Sequence, residues 1–309
     1  MHDPALALAA APAAGSRMNT LRAYYELGKP RLSALAVFAV VAGCFCGWTP
    51  YGVPPLDVVA ATTVGTFLVA AASSSFNMYR ERELDARMHR TQARPLPSGR
   101  LQPRQVLAFG WITAALGLGM LLVFSTWMAA LVCAAILGSY VLVYTPMKTR
   151  TPLNTLVGAI PGALPPVVGY AAVTGRLGFG ALILFMILFC WQIPHFLAIA
   201  WRHREDYARA GMRMLPVVDP AGERTRMTML LYTAGLGIAS LLPFVVRMAG
   251  EVYLGTAICL DVLFFVPAVM AAITRWESAM RMTFLVSIVY LPALLLVLVL
   301  DRQDPVFPL

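Results

Sequence analysis

An all-α membrane protein, with about nine transmembrane helices in a bundle, is the fold this sequence predicts, on three observations. Of its 309 residues 59% are hydrophobic and only 13% charged, with a mean hydropathy of +0.72, too apolar for a soluble domain of that length. Apolar runs recur near the ~20 residues a helix needs to cross the hydrocarbon of a bilayer. Twenty-one of the 24 Lys and Arg fall in alternate gaps between those runs, the asymmetry that orients membrane proteins.

In chain order, residues 1–20 read as a disordered Ala-rich tail, with Met18 an alternative start. Ala5–Ala14 imitates a signal core but has no basic flank before it. Spans are expected at Leu32–Trp48, Leu56–Phe76, Gln105–Phe124, Met128–Tyr144, Leu153–Val173, Phe179–Trp201, Met227–Val246, Val252–Ile273 and Met282–Leu300. They form one domain over 21–302, with a short C-terminal tail at 303–309. The sparse gaps hold only Arg176, Arg247 and Arg302. The N-terminus and the charged gaps are therefore placed in the cytoplasm and the C-terminus outside. The net charge of +9 does not point to nucleic acid, because the basic residues recur between spans instead of forming one patch. The cysteines Cys44, Cys46, Cys133, Cys190 and Cys259 sit inside apolar runs, where packing is expected and neither a disulfide framework nor a zinc site.

The densest charged stretch, Asn77–Arg104, directly follows the second span. Asn77, Glu81 and Asp85 recur every fourth residue, so on a helix their oxygens line one face at the membrane surface. Such a ladder suits Mg²⁺, which takes oxygen ligands from one or two carboxylates together with substrate phosphates. Arg80, Arg82, Arg87, Arg90, Arg94, Arg100 and Arg104 could neutralise those phosphates. The alternative is an interfacial helix whose arginines meet lipid headgroups. Lys29 and Arg31, at the mouth of the first span, are topology anchors or phosphate contacts.

A second polar cluster, WQIPHFLAIAWRHRED, closes the sixth span. Gln192 and His195 are polar at membrane depth, where such groups usually face a cavity, or they satisfy backbone groups loosened by Pro194. Asp206 could face the first ladder across the bundle or pair with neighbouring arginines. Between the clusters, Gly158, Gly162, Gly169, Pro161, Pro165 and Pro166 predict a slim, bent helix that allows close helix approach or forms an irregular wall beside a cavity. Asp261 is a buried acid with no partner evident in the sequence.

NxxxExxxD at Asn77–Asp85, followed by RTxxRPLPSG at Arg90–Gly99, resembles the first acidic motif of the intramembrane aromatic prenyltransferases. KPR at Lys29–Arg31, TPLNTLVGAIPGALPPVVGY, WQIPHF and DYxxAGMRMLPV are similar to the protohaem IX farnesyltransferase branch of that superfamily. The resemblance implies a nine-helix bundle around a central cavity in a bacterial inner membrane. It implies transfer of a farnesyl group from farnesyl diphosphate to a vinyl of haem B with addition of water, supplying terminal oxidase assembly. Haem A synthase or oxidase assembly proteins would then be partners. It implies Asn77, Glu81, Asp85 and Asp206 as Mg²⁺ ligands, and Lys29, Arg90, Arg94, Lys148 and Arg150 as diphosphate contacts. Trp191, Gln192 and His195 would lie on the haem side, His195 as iron ligand, orienting group or structural residue. Two departures stand out: Glu81 replaces the commoner Asp, and Arg202 occupies the place of the second motif's first acid, leaving Asp206 alone. Three other functions remain open. A quinone-precursor prenyltransferase would share the acidic ladder. A secondary transporter would need a repeat, and a haem-binding subunit would need paired intramembrane His ligands.

Overall fold

The computed structural model describes residues 17–274 and 277–303. The expected N-terminal tail thus lies outside the described residues as far as residue 16, whereas 17–20 belong to a helix; Arg275 and the tail from 304 also lie outside them. The helices are α1 (Arg17–Leu27), α2 (Pro30–Cys46), α3 (Leu56–Asp85), α4 (Pro103–Phe124) and α5 (Trp127–Gly138). A π-helical segment at Ser139–Tyr144 leads from α5 into one turn of helix, α6 (Thr145–Met147). There follow α7 (Asn154–Ala163), α8 (Pro165–Thr174), α9 (Phe179–Arg202), α10 (Arg204–Arg209), α11 (Leu215–Val218), α12 (Glu223–Val245), α13 (Glu251–Thr274) and α14 (Glu277–Leu300). Among the described residues, eight helical stretches are long and apolar enough to span, and Ser33–Cys46 of α2 is a shorter apolar helix, close to the expected count of about nine.

Local chemistry sets the boundaries. Pro sits at the start of α2 and α4, where its missing N–H costs nothing. Gln102 and Gln105 form a reciprocal capping box on α4, and the Thr126 hydroxyl accepts from Ala129 N at the start of α5. Gly175 ends α8 in the left-handed conformation at φ 72°. Pro165 and Pro166 split the expected fifth span into α7 and α8 at Leu164. Pro194, by contrast, lies within an unbroken α9.

The bundle is lipid-facing outside, with Trp111, Ile112, Leu116 and Leu122 all exposed, and its interior is close-packed by small residues. A Cβ on Gly169 would stand 1.9 Å from Val40 O, and one on Gly43 would stand 2.0 Å from Pro166 O. Helices α2 and α8 therefore touch backbone to backbone. At one end of the bundle, Arg302 donates to Pro50 O and Gly52 O at 3.2 Å each, and Asp301 Oδ2 accepts from Tyr253 N at 2.7 Å. Asp261 does have partners: Tyr290 OH donates to Oδ1 at 2.5 Å and Ser240 Oγ to Oδ2 at 2.7 Å, tying α12, α13 and α14 together. The opposite end carries the charged loops. Gly169→Val is expected to cost roughly 1–3 kcal/mol, read as a lower unfolding temperature in detergent, while Gly119→Val, where a Cβ meets nothing within 4 Å, leaves it unchanged.

Candidate active site

Helix α3 has 30 residues, about 45 Å of helix against the ~30 Å of bilayer hydrocarbon. Its last turns therefore carry Asn77, Glu81 and Asp85 past the apolar layer. All three are nonetheless buried, at 2%, 4% and 0% exposure, because the charged loops fold over them. Asn77 Nδ2 donates to Thr145 Oγ1 at 3.1 Å, and Thr145 donates onward to Tyr140 O at 2.8 Å within the π-helical segment, a distortion found often at functional sites. Glu81 Oε1 lies 2.7 Å from Lys148 Nζ, and Lys148 also sits over the Tyr144 ring at 4.7 Å. Arg94 Nη1 reaches both oxygens of Asp85, at 2.8 and 2.7 Å. Thr91 Oγ1 donates to Asp85 O at 2.9 Å, fixing the loop that carries Arg94.

Lys29 joins this cluster electrostatically. It stands in the left-handed region at φ 43°, an uncommon conformation for a side-chain-bearing residue. Burial pushes its ammonium down to about 7, Arg94 and Lys148 add to the fall, and Glu81 and Asp85 partly offset it. For Lys148 burial alone would act in the same direction, but Glu81, with Tyr144 and Tyr140, holds it above the ordinary lysine value. Two fixed cations thus pair with two carboxylates, and Lys29 adds a third positive charge whenever it is protonated, a state that a bound anion favours.

The other residues singled out in the sequence divide. Asp206 is not part of the ladder; it pairs with Arg209. Desolvation would raise its carboxyl, but Arg209 and the Arg90 and His89 amides bring it below the usual value. It thereby latches the loop after α3 to α10, as does Arg90, which donates to Tyr207 OH at 3.2 Å. Arg150 is exposed, and its guanidinium makes no hydrogen bond or ion pair among the described residues. Gln192 and His195 do not repair the backbone at Pro194. Gln192 Nε2 donates to Ala159 O on α7 at 2.7 Å, and His195 Nδ1 lies 2.7 Å from Ser287 Oγ on α14. Trp191 stacks on His195 at 4.9 Å and donates to Ser287 O at 2.8 Å. The sequence reading passed over Thr145, Tyr140 and Tyr144. The i, i+4, i+8 spacing of Tyr140, Tyr144 and Lys148 carries the same one-face signal as the acidic ladder. Asn154, expected to open the next apolar helix, does so at the start of α7, and its amide donates to Thr151 O at 2.6 Å and Arg213 O at 3.0 Å, joining the two loops beside Lys148.

The donor set fits a hard cation in part. Glu81 Oε1 is buried with no hydrogen-bond donor aligned on it, held only by the Lys148 charge, and Asn77 Oδ1 accepts nothing among the described residues. These are oxygen donors of the kind Mg²⁺ takes. Among the described residues no three His, Cys, Asp or Glu side chains gather as a metal cage, so the protein alone offers a half-shell that substrate oxygens would complete.

Against known proteins, the UbiA prenyltransferase family profile matches residues 36–298. A protein of Solibacter usitatus named protoheme IX farnesyltransferase is 41% identical over 290 residues, covering 91% of this chain and 99% of the relative. One of the same name from Azoarcus sp. is 44% identical, covering 91% and 93%. Among solved structures, a digeranylgeranylglyceryl phosphate synthase superposes with a TM-score of 0.75 at 19% identity, over 92% of this chain and 99% of that one. A UbiA homolog from Archaeoglobus fulgidus bound to GPP and Mg²⁺ superposes at 0.63 with 17% identity, over 90% and 99%. By its profile match, its relatives and its fold, the chain belongs to the UbiA prenyltransferase family.

Proposed function

We propose that this chain transfers the farnesyl group of farnesyl diphosphate to a vinyl group of haem B with addition of water, giving haem O and diphosphate. The observation that carries the transfer chemistry is the surplus of cations around buried Glu81 and Asp85; the choice of haem rests on the names of relatives about 40% identical over nine-tenths of the chain. Asn77, Glu81 and Asp85 would hold Mg²⁺, which supplies charge neutralisation to the diphosphate. Lys29, Lys148 and Arg94 would receive its remaining oxygens. As the C–O bond to diphosphate breaks, negative charge grows on those oxygens, so fixed cations stabilise the transition state more than the ground state. The vinyl carbon captures the allylic cation; water adds to the resulting haem cation and loses a proton. Loop 86–102, pinned by Asp85–Arg94 and Asp206, would keep bulk water from the allylic cation before capture. The charged end would face the cytoplasm of a bacterial inner membrane. Haem A synthase or oxidase assembly proteins would take up the product.

Purified protein in detergent with haem B, farnesyl diphosphate and Mg²⁺ is expected to yield a haem heavier by farnesyl plus water on mass spectrometry. A chelator should abolish it, and Asp85→Asn or Glu81→Gln should slow it about 10²–10³-fold. Unchanged haem together with a prenylated aromatic acid would instead assign the quinone branch. Lys29 gives a second test. An anion bound beside it raises its depressed value, so near pH 8 diphosphate binding should take up about one proton. Titration calorimetry in buffers of different ionisation enthalpy reads that uptake, and Lys29→Met should lose it. For the unliganded protein the same depression means that the unfolded chain binds more protons, so stability from this group rises with pH from about 7.

A further inference from the structure

Helices α9 and α14 run antiparallel and are tied at Ser287 by Trp191 and His195. Ser287 Oγ donates its single hydrogen to Phe284 O at 2.6 Å. Toward the charged end a cavity of about 640 Å³ opens between these helices, walled by Ala198, Met280 and Phe284, with Arg202, Arg204 and Arg281 among its lining. Phe284 connects the two features, its ring standing 5.3 Å from that of His195. Arg204 is engaged, over the Trp201 ring at 4.7 Å and 3.4 Å from Glu277. Arg202 and Arg281 pair with nothing among the described residues. On α9, His195, Ala198 and Arg202 recur at spacings of three and four and share a face. On α14, Arg281, Phe284 and Ser287 recur every third residue and share a face in the opposite direction. The seven residues from His195 to Arg202 span about 10 Å of helix.

We propose that this cavity seats the acidic edge of the haem substrate, with Arg202 and Arg281 receiving the two propionates and the macrocycle lying against Phe284 and Met280. The assignment rests on the haem reading above. Arg202 and Arg281, exposed and unpaired among the described residues, line a cleft whose walls also include Phe284, Met280 and Trp201, and a flat apolar dianion with both acids on one edge answers both charges while filling it. The diphosphate does not compete for this role, because Lys29, Lys148 and Arg94 belong to the separate cluster at the end of α3.

The test compares haem B with its dimethyl ester, each titrated by Soret absorbance into wild type, Arg202→Gln, Arg281→Gln and the double variant. Wild type should prefer the free acid by about tenfold or more. Each single variant should weaken that preference and the double variant should erase it, with ester affinity and farnesyl diphosphate affinity unchanged as controls of folding. A preference that survives in the double variant overturns the assignment. If wild type then still converts haem, the activity stands and only the cavity assignment falls. Wild type that binds neither form overturns both.

Discussion

Two ion pairs at the end of α3, Glu81 with Lys148 and Asp85 with Arg94, constrain most of what lies around them. Each joins an almost fully buried carboxylate to a cation at 2.7 Å, and removing one partner from such a pair typically costs about 3–5 kcal/mol because the other is left charged and desolvated. The polypeptide must therefore bring loop 86–102 and the exit of α6 over the same helix end. The Thr91 hydroxyl, the Asn154 amide and Asp206 serve that placement. So does the π-helical segment, which sets Tyr140, Tyr144 and Lys148 on the face that meets Asn77 and Glu81. What remains after the pairing is positive charge, from Lys29 and the surrounding arginines, at the mouth of an apolar bundle.

Much of this was legible in the chain. Spans follow from run length and the charged end from Lys and Arg asymmetry, since both depend on composition alone. The 77/81/85 ladder follows from helical spacing, and a slim helix open to close approach from Gly169, Pro165 and Pro166, though not that α2 is the helix packed there. Most of the pairings were not legible: Glu81 with Lys148 joins residues far apart in sequence, and no local pattern shows that the loop brings Arg94 to Asp85, whereas Asp206 with Arg209 is the expected pairing with a neighbouring arginine. Nothing local to Asp261 points to Tyr290 and Ser240, and nothing near Asp206 points to the amides of His89 and Arg90. Pro194 suggested that Gln192 and His195 mend a broken helix. Instead α9 continues through the proline, and both side chains reach neighbouring helices.

On the proposed reading, the two polar clusters have separate work within one bundle. The α3 cluster, all oxygen donors and fixed cations, suits a metal-bound diphosphate. The α9–α14 cluster, aromatic and imidazole below with arginines above, suits a larger apolar acid. That separation would let two chemically unlike substrates bind without competing for the same charges.

The central claim is that the α3 ladder binds diphosphate through Mg²⁺. Farnesyl diphosphate affinity, measured with and without Mg²⁺ in wild type and Glu81→Gln, tests it most directly. The account predicts that Mg²⁺ tightens binding in wild type and that Glu81→Gln loses this increment while keeping the metal-free affinity supplied by Lys29 and Arg94. An equal Mg²⁺ increment in both proteins would contradict it.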